Sequence, residues 1–194
     1  MIENGKRART YMAAYLKTYM GYKVDPLDPK EEYITLEDIA HALSLNCRGN
    51  GQVTHFYSVC QHCINCAKEA KARGESVRVQ FAALLHDGAE AYLSDLIRPI
   101  KDGMPGYREM EDRFLKVILA KFGLADLTKE EWQKVKKIDD DLLTIDLVEL
   151  LKEPMPEEGY QVKRRPDIAF VPFEDAEKEY LQMANEYLTM LQNV

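Results

Sequence analysis

The spacing of apolar residues constrains this chain more than any other feature. Leu36, Ile39, Ala40 and Leu43 recur at intervals of three and four, as do Phe56, Val59, Cys60, Cys63, Ile64 and Ala67. Val135, Ile138, Leu142, Leu143, Ile145, Leu147, Leu150 and Leu151 extend the same rhythm near the C-terminal third. An apolar stripe at that interval is the mark of a helix that buries one face. The pattern predicts helices near 6–20, 36–46, 54–73, 77–93, 106–122, 128–152 and 174–192. Thr35 followed by Asp38 reads as an N-cap with an acidic first turn, and Gly74 and Gly123 read as helix stops after basic turns. Ile168 to Val171 has the composition of a short β segment but finds no second strand to pair with. With no repeat, low-complexity tract or linker, the expected fold is all-α: a single domain bundling about six or seven helices.

Composition narrows the classes of function. A chain of 194 residues, 46% hydrophobic and 30% charged, buries an ordinary core and is neither disordered nor fibrous. No apolar run approaches the roughly 20 residues of a membrane span, and Tyr11 to Met20, with Lys17 inside it, is too polar for a signal-peptide core. A net charge of −7 disfavours a long nucleic-acid partner. A small phosphorylated ligand stays open, provided a metal or a few basic residues reverse the local field. Four cysteines are too few for a disulfide scaffold, and the expectation is a cytoplasmic protein with reduced thiols. Gly49-Asn50-Gly51 forms a loop able to take positive φ, and Pro154 to Pro172 is the longest irregular stretch, holding Lys163-Arg164-Arg165.

Chemistry concentrates at the end of the apolar run Phe81 to Leu85, where His86 and Asp87 precede Gly88. Burying such a pair without partners costs several kcal/mol. His62 lies on an earlier predicted helix and Asp139 on a later one, so packing three helices can bring His62, His86, Asp87 and Asp139 to one point. Two imidazoles and two carboxylates suit Mn²⁺, Fe²⁺, Co²⁺, Ni²⁺ or Zn²⁺ rather than Ca²⁺. Four protein ligands on a six-coordinate ion leave positions open, as catalysis at a metal requires. His41 reads as a packed residue near the pocket, His55 as exposed, Gln61 as facing away, and Lys163 to Arg165 as loop surface. Cys60, Cys63 and Cys66 share the spacing of an iron–sulfur run, with Cys47 as a fourth thiol. They fall inside an unbroken helical pattern, however, where cysteine behaves as a small hydrophobe.

The order His, His-Asp, Asp resembles the signature of the HD superfamily of metal-dependent phosphohydrolases. The likeness extends to Asp38 to Ser44, Cys47 to Gly51, Phe56 to His62, Leu85 to Tyr92, Asp95 to Lys101, and Val135 to Asp139 followed by Asp146. These segments resemble bacterial 5′-deoxynucleotidases and small phage and bacterial HD hydrolases, including phage dATP triphosphohydrolases. The resemblance implies an HD-type helical bundle with His62, His86, Asp87 and Asp139 as ligands of a divalent metal. Asp140 and Asp141 compete for the last place, and the interval to Asp146 favours Asp139. Relatives usually carry Glu at Asp146, so the shorter side chain is expected to alter its supporting role. Glu90 and Asp95 match the acidic residues that assist the reaction beside the metal. Arg48 matches, shifted by one residue, an arginine that meets the phosphate, and Gly49 stands where nucleotidases have Trp. Lys101, after Arg98 and Pro99, offers a second cation for the phosphate, the alternative for both Arg98 and Lys101 being a solvated surface. If the helix carrying His86 continues, Glu90 shares its face and can accept a proton from water that the metal acidifies.

The expected activity is therefore release of phosphate from (deoxy)nucleoside monophosphates. A dNTP triphosphohydrolase or pyrophosphohydrolase and a non-catalytic nucleotide-binding HD module are the alternatives. Glu90 and Asp95 speak against the module, since a pure binder needs no acid–base groups beside its metal. The expected partners are a small-molecule nucleotide and, from the relatives, a second copy of the chain in a homodimer or larger homo-oligomer.

Overall fold

The computed structural model describes residues 15–193. It is mostly helical, with a two-stranded antiparallel hairpin, β1 (Leu16–Lys17) and β2 (Lys23–Val24), ahead of the helices. The helices are α1 (Leu36–Leu45), α2 (Val59–Ala72), α3 (Val77–Leu85), α4 (Glu90–Leu93), α5 (Arg98–Gly103), α6 (Tyr107–Lys121), α7 (Lys129–Leu150) and α8 (Phe173–Gln192). Side-chain oxygens start four of them: Thr35, Ser58, Ser76 and Thr128 each accept the backbone N–H three residues on. Ser58 with Gln61 and Thr128 with Glu131 close full capping boxes; such a cap contributes about 1 kcal/mol.

The central pair is α2 and α3, packed on each other and both flanked by α7 and α8. Phe81, Leu84, Leu85, Ile138 and Tyr180 from these elements are fully buried in one core with Ile39 and Leu43 of α1 and Phe114 and Ile118 of α6. Tyr180 satisfies its hydroxyl by donating to the Leu84 carbonyl at 2.9 Å, so the last helix is tied to the centre by a polar as well as an apolar contact. Among the described residues no helix is long and apolar enough to cross a membrane.

Three differences from the sequence expectation bear on the site. The helix expected over 6–20 gives way to the hairpin from residue 15; its earlier part lies outside the described residues. Gly21 takes φ +91, and Thr18 accepts the Tyr22 N–H through Oγ1, so the chain turns rather than winds. Tyr19, in that turn, stacks on His41 with ring centroids 3.8 Å apart. Second, α2 begins at Val59, because Phe56 to Ser58 run extended against the segment before the Gly49-Asn50-Gly51 loop. Arg48 N–H donates to Tyr57 O at 2.9 Å and Val59 N–H to Asn46 O at 2.9 Å.

Third, the helix expected over 77–93 breaks after Leu85. Gly88 N–H donates to Leu85 O at 2.8 Å, and a Cβ on Gly88 would sit 2.9 Å from that carbonyl, so the tight turn requires glycine. The short helix α5, with Pro99 in its first turn, was not anticipated. Residues 151–172 are irregular and Ile168 to Val171 form no strand.

Candidate metal centre and cleft

The bundle brings the four expected ligands together. His62 is fully buried on the inner face of α2; His86 caps the end of α3, Asp87 opens the turn that follows, and Asp139 faces them from the middle of α7. Asp139 Oδ1 lies 3.1 Å from His62 Nε2 and 3.5 Å from His86 Nε2, and Asp87 Oδ2 lies 3.3 Å from His86 Nε2. Asp140 points outward to Arg98 at 3.1 Å, and Asp141 is taken by Arg73 and Lys137. Geometry thus singles out Asp139 from its neighbours.

Each imidazole is oriented from behind. His62 Nδ1 meets Asp146 Oδ2 at 2.9 Å, so aspartate reaches this ring despite its shorter side chain. His86 Nδ1 donates to the Ala83 carbonyl at 2.8 Å, which leaves Nε2 to face the cluster. That Nε2 atom is buried without a hydrogen-bond partner. A buried nitrogen held in this way costs free energy unless something fills its lone pair.

The electrostatics point the same way. Asp87, Asp139 and Asp146 crowd two imidazoles, while Arg48 is the buried cation beside them, 3.3 Å from Asp87, 3.7 Å from Asp95 and 3.6 Å from Asp146. Burial works against a charged His62, as does Arg48, but Cys66 and the carboxylates of Asp139 and Asp146 outweigh them and hold its pKa well above the usual imidazole value. Burial likewise opposes charge on His86, and Asp87, the Cys63 and Cys66 sulfurs and Asp139 overcome it. Burial would raise the Asp87 and Asp139 carboxyls, yet the imidazoles hold both well below the ordinary carboxylate range. The cluster therefore needs positive charge, from two protons or from a divalent ion.

A shared ion fits. Donor atoms bound at about 2.1 Å to one ion stand roughly 2.9–3.4 Å apart, close to the 3.1, 3.3 and 3.5 Å measured here. The unpartnered Nε2 of His86 is the lone pair such an ion would take.

The acidic and basic helpers are placed unevenly. Glu90 does not continue the helix of His86; it opens α4 after the Gly88 turn, buried, with Oε1 receiving Lys101 at 3.0 Å and Oε2 without a partner. Burial, then the charges of Asp87 and Asp95, raise its pKa well above the ordinary glutamate value. Asp95 accepts the Gly49 N–H at 3.3 Å and approaches Arg48, which makes it an anchor for the Arg48 loop. Arg48 itself is buried among carboxylates rather than extended toward open space. Lys101 bridges Glu90 and Glu111, so its charge is already shared.

A cleft of about 230 Å³ opens beside this cluster, lined by His86, Asp87, Glu90, Lys101, Trp132 and Asp139 but not by His62. Arg98, Arg108 and Lys136 also border it. Lys163, Arg164 and Arg165 serve elsewhere: the first two give their N–H groups to Glu69 and the third pairs with Glu149.

The remaining histidines match a structural reading, with one change. His41 pairs with Glu177 at 3.1 Å. His55 is half-buried rather than exposed, its Nε2 2.7 Å from Ile168 O. Gln61 faces away, donating to Ala169 O. The cysteines of α2 diverge from an iron–sulfur arrangement, since the Cys60 thiol donates to Ala176 O on α8. What the sequence reading missed is that Cys63 and Cys66 abut the imidazoles. Ligand atoms of His62, Cys66 and His86 lie within 4.8 Å of one another, as do those of Cys63, His86 and Asp87. The four-residue step from His62 to Cys66 was the available signal.

No protein-family model matches the sequence. The chain is 36% identical over 113 residues to the uncharacterized protein YfdR of Escherichia coli strain K12, covering 57% of this chain and 60% of that protein. It is 40% identical over 117 residues to an uncharacterized protein of Rhodobacter capsulatus, covering 57% of this chain and 59% of that one. The matched segment thus spans about 60% of the length of these relatives, whose names assign no activity.

Proposed function

We propose that this chain is a metal-dependent phosphohydrolase of the HD superfamily that releases phosphate from (deoxy)nucleoside monophosphates. The observation that carries the reading is the approach of His62, Asp139, His86 and Asp87, from α2, α7 and the end of α3, with successive ligand atoms 3.1, 3.5 and 3.3 Å apart beside a cleft lined by the last three. These four side chains would hold the ion. Bound there, a divalent ion supplies Lewis acidity, acidifying water and drawing charge from a phosphoryl oxygen.

The protein's own groups supply the rest. Glu90 Oε2 is buried at the cleft wall with no partner, while Lys101 fixes the other oxygen. Burial and the neighbouring carboxylates raise its pKa, which suits a carboxyl group that takes and returns a proton. Asp95 positions the Arg48 loop through Gly49. Arg48 and Lys101 offset the carboxylates next to the cleft and so favour entry of an anionic phosphate. Trp132, Leu115 and Val135 give the same cleft an apolar wall against which a base or sugar packs.

A second reading, hydrolysis of dNTPs, draws support from Arg98, Arg108 and Lys136 on the cleft border, where a longer phosphate chain would meet them. One screen separates the readings: purified protein, with Mn²⁺, Co²⁺ or Mg²⁺, against panels of dNMPs and dNTPs. Phosphate release from dNMPs, abolished by His86→Ala, is expected. Release of pyrophosphate or tripolyphosphate from dNTPs selects the second reading. Nucleotide binding without turnover leaves a non-catalytic module, and neither binding nor turnover defeats all three. The reading carries with it a homodimer or larger homo-oligomer, which analytical ultracentrifugation checks.

A further inference from the structure

The carboxylates approach the two imidazoles from α7 and from the turn after α3. From α2 itself, two thiols approach them. Cys66 follows His62 by one helical turn, is 1% exposed, and places Sγ 3.5 Å from His62 Nε2, the same atom that faces Asp139 at 3.1 Å. A His86 ring nitrogen completes a triangle with His62 and Cys66 inside 4.8 Å. Cys63, fully buried one turn earlier, stands in the corresponding relation to His86 and Asp87. Cys60, on the same helix, is turned to α8 and takes no part.

The second observation is the buried His86 Nε2, which has no hydrogen-bond partner and is held facing this space by the bond from its other nitrogen to Ala83. Helical spacing brings the Cys66 sulfur to His62, and the sulfur faces the imidazole nitrogen, so a thiolate with these two imidazoles forms a mixed sulfur–nitrogen donor set. Such a set selects borderline-soft ions over hard ones.

We propose that Cys66 is a direct ligand of the ion held by His62, His86 and Asp139, which makes this a centre for Zn²⁺ or Co²⁺ in preference to Mg²⁺ or Mn²⁺. The inference rests on the metal centre proposed above but not on its catalysing anything. When the ion binds, the thiol proton leaves to solvent and the sulfur lone pair takes one coordination position. Cys63, one turn back, supports His86 and Asp87 from the same side.

The test uses the metal alone. Metal-free protein is titrated with Co²⁺ while its electronic spectrum is followed. One equivalent is expected to bind and to raise a sulfur-to-cobalt charge-transfer band in the near ultraviolet. The band persists in Cys60→Ala and disappears in Cys66→Ala, whose preference for Zn²⁺ over Mn²⁺ falls about tenfold. Independently of any variant's folding, X-ray absorption of the Zn²⁺-loaded natural sequence is expected to find a sulfur at about 2.3 Å. Zinc bound by nitrogen and oxygen alone, or a sulfur band that survives Cys66→Ala, overturns the assignment and leaves the hydrolase reading standing. Failure of any ion to bind overturns both. A sulfur signal in a protein that hydrolyses no nucleotide sustains the ligand assignment and counts against the hydrolase reading alone.

Discussion

At the scale of single residues, the most informative atom is one that never faces the cleft. Asp146 Oδ2 holds His62 Nδ1 at 2.9 Å and so decides which nitrogen of the ring points to the cluster. Asp146→Asn is expected to weaken metal affinity about 10–100-fold without abolishing it, read by calorimetric titration. The protonation of the two imidazoles makes a second prediction. Both have pKa values raised well above the ordinary value, so in the metal-free protein their ion pairs contribute stability that is fully present below about pH 6.5 and is lost as pH rises through the raised values. Asp87 and Asp139 are depressed, so their contribution is present above about pH 3.9 and lost as pH falls through the lower values. Metal-free protein should therefore be most resistant to urea between those limits. Metal affinity should instead climb with pH through neutrality, because each imidazole must shed its proton to bind. An affinity flat from pH 6 to 8 would contradict the arrangement.

Sequence alone made the His62, His86, Asp87 and Asp139 set legible because residue type and order survive without coordinates. It could not show that Arg48 and Lys101 are already engaged by carboxylates, since those pairings join residues from separate elements. Nor could it separate Cys66 the core residue from Cys66 the neighbour of an imidazole, because both readings use the same helical period.

At the scale of elements, α2 is the organising helix. Its inner row carries His62 and Cys66; an adjacent row, Gln61, Asn65 and Glu69, holds the irregular segment that follows α7. Gln61 donates to Ala169 O at 2.9 Å, Asn65 exchanges bonds with Asp167, and Glu69 accepts the N–H groups of Lys163 and Arg164 at 2.8 Å each. Glu69 is 1% exposed and also pairs with Arg73 at 2.7 Å. Glu69→Ala should cost about 2 kcal/mol, since two loop N–H groups lose their acceptor and Arg73 keeps only Asp141 as a carboxylate partner, and the shift in urea midpoint measures it. Helices α1, α6, α7 and α8 were legible to within a residue or two, because their apolar period runs to both ends, whereas α2 starts five residues later than its period suggested. The break at Gly88 and the hairpin at residue 15 were not, because a turn can interrupt an apolar period without erasing it. The expectation that Glu90 shares a helix with His86 failed for that reason, although the turn still delivers Glu90 to the cleft.

At the scale of the molecule, the net charge of −7 includes the carboxylates gathered at the centre, where Asp87 and Asp139 oppose each other, so a divalent ion at the proposed site would offset that repulsion. Zn²⁺ at 100 times its Kd should add about 2.7 kcal/mol to stability. For a chain of this size that raises Tm by about 5–10 °C, and a chelator should reverse the shift in a thermal scan.

Helix α2 bears both rows on one rigid rod, and each residue advances the phase by about 100°. A single insertion or deletion between Ser58 and Gln61 would rotate the imidazole out of register with α7 and, in the same motion, drop the loop from its supports. A change of length there would therefore disturb the proposed ion site and the supports of the loop together, whereas a substitution can alter one and leave the other in place.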